Sequence, residues 1–414
     1  MMSSIAQRVK YYSSFIDPEL IKMYLGGSRS EERDPMTHIE AGVEWICRAQ
    51  DAFYGGGVAR SYSLVYHPFF KRRGWFAPYP ETTGYIIPTL FDYARLVNRQ
   101  EFADRAVRMA DWECLVQLES GAVQGGMIDQ APSPAIFNTG QVIFGWIRAF
   151  RETAQSTYLV SAVKAGKFLI SQQDTDGAWR KSLSDFTNNS RMSSYTYNTR
   201  TAWALMELAL VTGDEEFEEA AIRNVEFALG QQNENGWFQS NCLTQPDRPL
   251  THTIAYCIRG IMEIGAILKN QEFLARARRA ADAVLARQRP DGSLAGRFNE
   301  RWEPAVAWRC LTGEAQMAGI WGRLYQITGQ PEYLEGMRRT NAVLRKTQFL
   351  HTAHPGLYGG ISGSEPIQGA YGRFEILNWA VKFFVDAQML ELSLMKKDDI
   401  RLQSHGMGDV ASAN

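Results

Sequence analysis

The chain has 414 residues and nearly balanced charge, with 44 Lys and Arg against 45 Asp and Glu. Because there is also no run of basic residues, nucleic acid and anionic membrane surfaces are not expected partners. Aromatic residues make up 12% of the chain and include 11 Trp. This content favours flat apolar surfaces on which sugar rings can stack, although core packing would also use many of these side chains.

The five cysteines are scattered, without a CxxC pair or zinc-type spacing, which indicates reduced thiols and an expected cytoplasmic location. Residues 1–22 lack the apolar centre of a signal peptide, and no stretch is long enough to span a membrane, so neither export nor membrane insertion is expected. The GxxxxGK[ST], GxGxxG, HExxH and GxSxG motifs are missing. Nothing in the sequence proposes a metal or another cofactor, and the oligomeric state stays open.

The first 36 residues are polar, and we interpret them as an extension with a short helix and a connector. A helix of outer type follows at residues 39–50. The last inner-type helix, 375–392, has no outer partner after it, and residues 396–414 are expected to form a flexible tail. Between these ends lie five inner/outer helix pairs: 83–97 with 102–117, 141–152 with 158–173, 201–211 with 217–232, 254–268 with 273–288, and 315–327 with 333–348.

A single helical hairpin cannot bury its apolar face alone, so successive hairpins must stack or close into a ring. A Gln recurs at the end of the outer helices, with separations between 56 residues (117 to 173) and 60 residues (288 to 348). The unpaired helix at each end of the chain completes a sixth hairpin if the ends meet. The sequence therefore predicts an all-α (α/α)6 toroid over residues 37–395, as one catalytic domain.

The turns inside each hairpin are short, whereas the connections from an outer helix to the next inner helix are long. The long connections therefore gather at one mouth of the ring, where the inner helices also begin. Function commonly lies on loops that a rigid scaffold holds. Helix N-termini offer unpaired N–H groups and positive dipole ends, so this mouth is expected to favour anions. We interpret the Thr residues at these helix starts as N-caps.

Five residues at the inner-helix starts are candidates for catalysis. Glu81, Glu314 and Glu375 could supply the carboxylate pair of a glycoside hydrolase, although acids also favour the first helical turn for dipole reasons. His252 and Tyr256 stand four residues apart on one helix face and suit acid–base chemistry, although a single His is often structural. Hydrolysis and proton transfer by His and Tyr both stay open.

Other large polar and aromatic side chains lie at the same helix starts or on the mouth loops. Trp beside Arg suits an acidic sugar, because the indole stacks on the sugar ring and the guanidinium binds a carboxylate through two hydrogen bonds. The first mouth loop also carries Arg60 and His67. The residues expected to bind substrate are Tyr66, Tyr79, Asn138, Gln141, Tyr197, Arg200, Arg301, Trp308, Gln316 and Arg373.

With these features, residues 37–395 resemble the six-hairpin toroid superfamily. It includes glycoside hydrolases, unsaturated glucuronyl hydrolases, N-acylglucosamine 2-epimerases and the toroid domains of polysaccharide lyases. The blocks at 75–85 (WFAPYPETTGY) and 250–256 (LTHTIAY) are similar to bacterial proteins from exopolysaccharide biosynthesis clusters. The resemblance implies a role with an oligosaccharide or polysaccharide, and an anionic, uronate-type sugar is favoured.

The resemblance implies several reactions. In the toroid lyases an Asn neutralises the uronate carboxylate while His and Tyr move protons, and here Asn138 or Asn198, His252 and Tyr256 would take these parts. The Asp pair of unsaturated glucuronyl hydrolases has no clear counterpart. Residues 173–179 (QDTDGAW) are similar to the QxxxGxW turn of triterpene cyclases, but the DxDD acid motif is missing. A glycoside hydrolase is the first hypothesis; a lyase or epimerase and a non-catalytic glycan-binding or assembly protein are the alternatives.

Overall fold

The computed structural model describes residues 5–24, 33–180, 195–242 and 244–410. Two short helices come first, α1 (Ile5–Ser13) and α2 (Pro18–Tyr24), with a 3-10 turn at Ser14–Ile16 between them. The connector predicted before residue 37 lies mostly outside the described residues. The same is true of the middle of the third long connection and of the end of the tail.

Two sets of helices follow in alternation, and all the predicted helices are present. All but the last begin two to five residues earlier than expected, because the first turn of a helix is often polar and lacks the apolar period. The outer helices are α3 (Pro35–Asp51), α5 (Gln100–Val116), α7 (Ser156–Gln172), α9 (Glu215–Leu229), α11 (Gln271–Leu285) and α13 (Pro331–Arg345). The inner helices are α4 (Pro80–Val97), α6 (Ile136–Thr153), α8 (Thr199–Thr212), α10 (Thr251–Leu268), α12 (Leu311–Thr328) and α14 (Asn378–Val410).

The inner helices form a closed ring. Helix α4 contacts α6, α6 contacts α8, and the contacts continue through α10 and α12 to α14, which returns to α4. The first outer helix, α3, packs on α14, so the two ends of the toroid pair as the sixth hairpin. Every other outer helix packs on the inner helix that precedes it in sequence. The structure is the predicted (α/α)6 toroid and not an open solenoid.

A repeated hydrogen-bond pattern joins neighbouring outer helices. In each case, Nε2 of a Gln at the end of one outer helix donates to the Gly carbonyl of its own turn and to a backbone carbonyl of the next outer helix. Gln173 lies 3.1 Å from Gly177 O and 2.9 Å from a carbonyl of α9. Gln348 joins α13 to α3 in the same way, at 2.9 Å from Gly359 O and 3.0 Å from a carbonyl of α3. The pattern also occurs at Gln50, Gln117, Gln232 and Gln288.

Short strands, which the sequence did not predict, lie in the long connections. In one antiparallel sheet, β1 (Ser61–His67) lies between β2 (Arg72–Trp75) and β5 (Glu375–Leu377). In another, β3 (Arg309–Cys310) pairs with β4 (Ser364–Glu365). The prediction that residue 375 opens the last inner helix is wrong, because β5 pairs with β1 and the helix begins only at Asn378. The first sheet thus ties the first long connection to the segment before α14.

The Thr residues at the inner-helix starts do not act as the predicted N-caps. Thr83 lies inside the first turn of α4, and its Oγ1 accepts a hydrogen bond from Val58 N–H at 2.9 Å. Thr139 Oγ1 accepts from Val123 N–H at the same distance, 2.9 Å. Neither helix has a side-chain N-cap. These hydroxyls therefore fix the incoming mouth loops, which sets the position of the side chains at the helix starts.

A continuous apolar core fills the space between the inner and outer rings. Trp45, Trp146, Trp179 and Trp321 are among its largest fully buried side chains. All five cysteines are described, and each is a free thiol. Over the described ranges, no helix has both the length and the apolar character that a membrane span requires.

Candidate functional site

The mouth of the ring holds a cavity of about 540 Å³, here called the mouth cavity. It lies between the starts of α4, α6 and α10, the turn before α8 and the loops above them. A concave, largely aromatic wall with a few polar groups is typical of a small-molecule site. Its aromatic wall includes Phe70, Tyr85, Phe137, Tyr197, Tyr371 and Trp379. Its polar and titratable side chains include Arg60, His67, Tyr79, Glu81, Asn138, His252 and Tyr256.

Glu81 supplies the carboxyl group of this cavity. It lies in the first turn of α4 and accepts a hydrogen bond from Tyr79 Oη at 2.6 Å. Asn138 Nδ2 in turn donates to Tyr79 Oη at 3.2 Å. Burial raises the pKa of Glu81 to about 7, while the Tyr79 hydrogen bond and the charges of Arg200 and Arg60 act in the opposite direction. Near neutral pH the carboxyl therefore exists in both forms, which suits a general acid.

His252 is the second titratable group of the cavity. Its Nδ1 lies 2.7 Å from Gln316 Oε1. Since an amide oxygen only accepts, this contact assigns the proton to Nδ1 and a lone pair to Nε2. Burial lowers the pKa of His252 to about 4, and the charge of Arg200 adds to this effect while the Gln316 hydrogen bond opposes it. The imidazole is neutral at physiological pH and can accept a proton.

Tyr256 stands one turn after His252 on α10, and the two ring centres are 4.4 Å apart. Its buried hydroxyl lies near that of Tyr85 but has no hydrogen bond of acceptable geometry within the described part of the chain. Burial raises the pKa of Tyr256, so the phenol keeps its proton. An unsatisfied buried hydroxyl costs about 1–3 kcal/mol. A polar group of a bound ligand would recover this free energy.

Glu375 lies beside the mouth cavity, and Arg60 balances its negative charge. Arg60 Nη1 donates a short hydrogen bond to Glu375 Oε2, and Glu375 Oε1 lies 3.9 Å from His67 Nε2. The Arg60 guanidinium also lies 5.2 Å from the centre of the Trp379 ring. Burial lowers the pKa of His67. Arg60 and His67 line the cavity, whereas the Glu375 carboxylate supports them from behind.

Glu314 lies outside the mouth cavity and is fully buried. Its Oε1 accepts hydrogen bonds from Arg309 Nε at 2.8 Å and from Leu294 N–H at 2.9 Å, while Arg309 Nη2 donates to Oε2. This arrangement anchors the connection between α11 and α12. Because both oxygens already accept strong hydrogen bonds, Glu314 is poorly suited to form a catalytic pair with Glu81.

Of the residues expected to bind substrate, Tyr79, Asn138 and Tyr197 line the mouth cavity. Three others lie deeper. Arg200 and Gln316 line a separate cavity inside the ring, and Gln141 Oε1 accepts a hydrogen bond from Arg200 Nε at 2.7 Å. These three side chains therefore support the floor of the mouth cavity and do not line it.

The remaining four predicted binding residues lie away from the cavity. Arg301 and Arg373 are exposed, with the Arg301 side chain 77% accessible. Tyr66 is buried in β1, and Trp308 packs against the backbone of Gly296. All four are near a long connection in sequence, but position in sequence does not fix the direction of a loop side chain.

Tyr85, Tyr371 and Trp379 line the mouth cavity and were not identified from the sequence. Tyr85 stands one helical turn after Glu81, and this spacing is a signal that could have identified it. Trp379 Nε1 donates to Tyr371 Oη at 2.8 Å, so the two act as one wall. Only ring closure brings this segment of the chain to the mouth.

The site separates an acid from a base. Glu81 keeps its proton to an unusually high pH, and His252 loses its proton at an unusually low pH. Opposite displacements of two pKa values in one cavity are typical of acid–base catalysis. Within the ranges that the structure describes, no three His, Cys, Asp or Glu side chains converge on a metal-binding position.

The chain was compared with family models, with curated protein sequences and with solved structures. A family model of the squalene-hopene cyclase C-terminal domain matches residues 133–262, which is less than a third of the chain. The matched region contains two hairpins and the QxxxGxW-like turn at 173–179, so the likeness lies in the repeat. The comparison with curated protein sequences gives no match.

Solved structures match nearly the whole chain. The unsaturated glucuronyl hydrolase from Bacillus sp. GL1 has a TM-score of 0.68 at 15% identity, covering 86% of this chain and 96% of that one. An unsaturated glucuronyl hydrolase specific for heparin has a TM-score of 0.68 at 15% identity, with 87% and 98% covered. Cellobiose 2-epimerase from Bacillus thermoamylovorans B4167 has a TM-score of 0.68 at 13% identity, with 86% and 98% covered. The chain shares the six-hairpin toroid fold of these proteins.

Proposed function

We propose that the protein is a carbohydrate-active enzyme that catalyses proton transfer at a sugar carbon, as an epimerase or a lyase. The observation that carries this proposal is the neutral His252 beside Tyr256 in an aromatic cavity that also contains the protonatable Glu81. Proton abstraction next to a carbonyl or carboxylate needs a neutral base and a donor for the charge that develops on oxygen.

The roles follow from the hydrogen-bonding state of each group. His252 Nε2 removes the proton from carbon, and the protonated Glu81 donates to the developing oxyanion. The Tyr256 hydroxyl, which lies beside that of Tyr85, supplies a further donor or returns the proton. The aromatic wall stacks on the sugar ring. Arg60 lines the cavity wall and can donate a hydrogen bond to the carboxylate of a uronate, although Glu375 balances its charge.

Glycoside hydrolysis is the second candidate, because a carboxyl with a pKa of about 7 suits the general acid of that reaction. Hydrolysis by the common mechanisms also needs a second carboxyl group. Among the described residues, Glu81 is the one carboxylate that lines the mouth cavity. The other two candidates are held in ion pairs, Glu314 by Arg309 and Glu375 by Arg60. Proton transfer is therefore favoured, because it does not need the second carboxyl group that hydrolysis requires.

The substrate class draws on the fold and on the sequence together. The structural neighbours include a hydrolase of unsaturated glucuronyl groups and a cellobiose epimerase, which supports a saccharide ligand. The blocks at 75–85 and 250–256 support an exopolysaccharide, or a precursor of one, as the substrate, while Trp379 and Arg60 in the cavity wall support a uronate unit in it. A precursor agrees with the cytoplasmic location expected from the cysteines.

The test is incubation with a panel of acidic oligosaccharides in D2O, followed by NMR and mass spectrometry. Deuterium at a ring carbon, or a new double bond, supports proton transfer. New reducing ends with neither deuterium on carbon nor a new double bond would establish hydrolysis instead. If no saccharide of the panel changes but one binds, the protein is a glycan-binding module and the proposal fails.

Variants assign the roles in the same assay. His252→Gln should lower kcat by about a hundredfold or more, because general base catalysis contributes about 10²–10⁴-fold. Arg301→Gln is the matched surface control and should leave kcat unchanged, since this side chain is 77% exposed and away from the cavity. An unchanged kcat in His252→Gln would contradict the assigned base.

A further inference from the structure

A second cavity, of about 470 Å³, lies inside the ring and is here called the lower cavity. It extends from Arg200 near the start of α8 to Leu96 and Ser393, close to the opposite end of the inner ring. Asp92 and Ser393 on its rim are exposed to solvent. Most of its wall is apolar and includes Trp203, Ile320, Phe383, Met389 and Leu390.

The charges around the lower cavity do not cancel. Three cationic side chains line it. Arg259 is paired with Glu263 at 2.8 Å, and Lys382 is paired with Asp386. Arg200 has no carboxylate partner among the described residues. The third cation is therefore in excess.

The acidic residue on the rim does not balance this charge. Asp92 forms an ion pair with Arg148 at 2.6 Å, and Arg148 lies on the outside of the cavity wall. Asp386 also accepts a hydrogen bond from Thr89 Oγ1 at 2.7 Å. Asp92 is thus paired with Arg148 and Asp386 with Lys382, which leaves Arg200 as the cation of the lower cavity without an ion-pair partner among the described residues.

Arg200 is only 6% exposed. Its Nε donates to Gln141, and its two Nη atoms make no hydrogen bond within the described ranges. Aromatic rings surround the guanidinium, with ring centres 5.0 Å away at Tyr256 and 5.4 Å away at Trp203. Such rings attract a cation but leave its N–H donors unsatisfied. A buried charge with free donors is costly unless an anion pairs with it.

We propose that the lower cavity is a binding site for an amphipathic anion. Arg200 binds the carboxylate or phosphate group of this ligand through its free Nη donors. The apolar part of the ligand lies along Ile320, Met389 and Leu390 toward the open rim. Such a site is separate from the mouth cavity and does not depend on the reaction that takes place there.

Arg200 would also link the two cavities. Tyr256 lines the mouth cavity and packs on the Arg200 guanidinium. The positive charge of Arg200 lowers the pKa values of Glu81 and His252. An anion bound to Arg200 would offset this charge, so occupancy of the lower cavity would influence the acid and the base of the mouth cavity.

Gly319 offers a way to fill the lower cavity without disturbing the fold. It lies on α12 in the cavity wall, and a Cβ atom there would meet only Arg259 Nη1, at 3.8 Å. Gly319→Leu therefore projects a side chain into the space that the ligand needs. Gly319→Ala is the matched control, because it leaves most of that space free. Both substitutions favour the helix relative to Gly, so both variants should fold.

The experiment is isothermal titration of the full chain with octanoate and octyl phosphate, with octanol as the neutral probe. Wild type and Gly319→Ala should bind at least one anion, and Gly319→Leu should lose this binding. Arg200→Met should lower the affinity for the anions about tenfold or more, which corresponds to at least about 1.4 kcal/mol. The preferred anion identifies the head group as carboxylate or phosphate. Circular dichroism confirms that each variant is folded.

Three results would each overturn the proposal. The first is that neither anion binds wild type at millimolar concentrations. The second is that octanol binds as tightly as the anions, and the third is that Gly319→Leu keeps the wild-type affinity. The first result would mean that the aromatic rings alone stabilise Arg200. Because no saccharide and no turnover enter these measurements, failure here leaves the proposed reaction untouched, and failure of that reaction leaves this site untouched.

Discussion

Tyr79 and Glu81 form a hydroxyl–carboxyl pair whose hydrogen bond stabilises the ionised carboxylate. This bond lowers the pKa of Glu81, against the larger raising effect of burial. We therefore expect Tyr79→Phe to raise the pKa of Glu81 above about 7. If Glu81 acts as the acid, the alkaline limb of the kcat/KM profile should move to higher pH. A pH series of initial rates measures this shift, and a move to lower pH would contradict the assignment.

Glu81 also links stability to pH. Its pKa of about 7 in the folded chain lies above the ordinary value of 4.5. Between these pH values the folded chain keeps a proton that the unfolded chain has lost. This contribution to stability is therefore complete below about pH 4.5, falls as the pH rises to about 7 and is lost above it.

Glu81→Gln removes this titration, so the variant should gain stability relative to wild type as the pH rises from 5 to 8. The expected gain is at most about 3 kcal/mol, and less in practice because Glu81 is partly exposed to the cavity. His252, whose folded pKa is lowered, titrates in both proteins and cancels in the difference. Urea unfolding at both pH values tests this, and a pH-independent difference would show that Glu81 titrates normally.

Among single residues, the sequence could identify only those site side chains whose position follows from the start of a helix. Glu81, His252 and Tyr256 stand in or just after the first turn of α4 or α10, so their presence at the mouth could be predicted. Glu375 could not be placed in this way, and although Arg200 stands in the first turn of α8, the direction of its side chain could not be predicted. The first is neutralised by Arg60, which is 315 positions away in sequence, and the second turns into the lower cavity.

Among the elements, the turn after each outer helix is the most constrained. Gly177 has a φ of +85°, and a Cβ atom there would lie 2.2 Å from Arg223 O on the next outer helix. Gly213 also has a positive φ, +71°, but no atom lies within 4 Å of its Cβ position. The two glycines therefore separate the cost of backbone conformation from the cost of close packing.

We expect Gly213→Ala to destabilise the fold by roughly 1–2 kcal/mol, through backbone strain alone. Gly177→Ala should cost roughly 3–5 kcal/mol, because overpacking against a neighbouring helix adds to the same strain. Denaturant unfolding of both variants measures the difference. Equal losses would mean that the contact with α9 relaxes without cost.

The helices were predictable because each one carries an apolar period over several turns, which local sequence contains. The strands were not, because four of the five have only two to four residues, and strands of that length are stable only when the partner strand is present. Arg309–Cys310 pairs with Ser364–Glu365, and neither segment has a strand pattern of its own. The pairing of β1 with β5 depends on the closure of the ring, and so does the position of Glu375.

For the whole molecule, closure was predictable from one count: an unpaired outer helix at the start and an unpaired inner helix at the end. The mouth cavity could be inferred from this closure together with the long connections. The lower cavity could not, since no loop borders it and its residues come from the inward-facing sides of the inner helices. Its excess charge becomes visible only when the partner of each cation is known.

Closure also predicts that the contact between the first and last outer helices, α3 and α13, contributes as much to stability as the contact between any other neighbouring outer helices. Gln348 bonds Gly359 O and His38 O through Nε2, and its Oε1 lies 2.6 Å from His38 Nδ1. Gln232, in the middle of the chain, makes the same number of contacts, with Arg276 Nε donating to its Oε1 at 2.6 Å. We therefore expect Gln348→Ala and Gln232→Ala to lower the free energy of global unfolding by a similar amount, roughly 1–3 kcal/mol.

Thermal unfolding by circular dichroism, together with hydrogen exchange of the amides of α3, checks this equivalence. In a closed ring, both variants keep one cooperative transition and shift its midpoint by a similar amount, because neither end can separate without breaking the whole. In an open array, α3 and α13 could separate while the rest of the fold stays intact. Gln348→Ala would then leave the midpoint unchanged and increase exchange only in α3, and that outcome would contradict the ring from which both cavities are built.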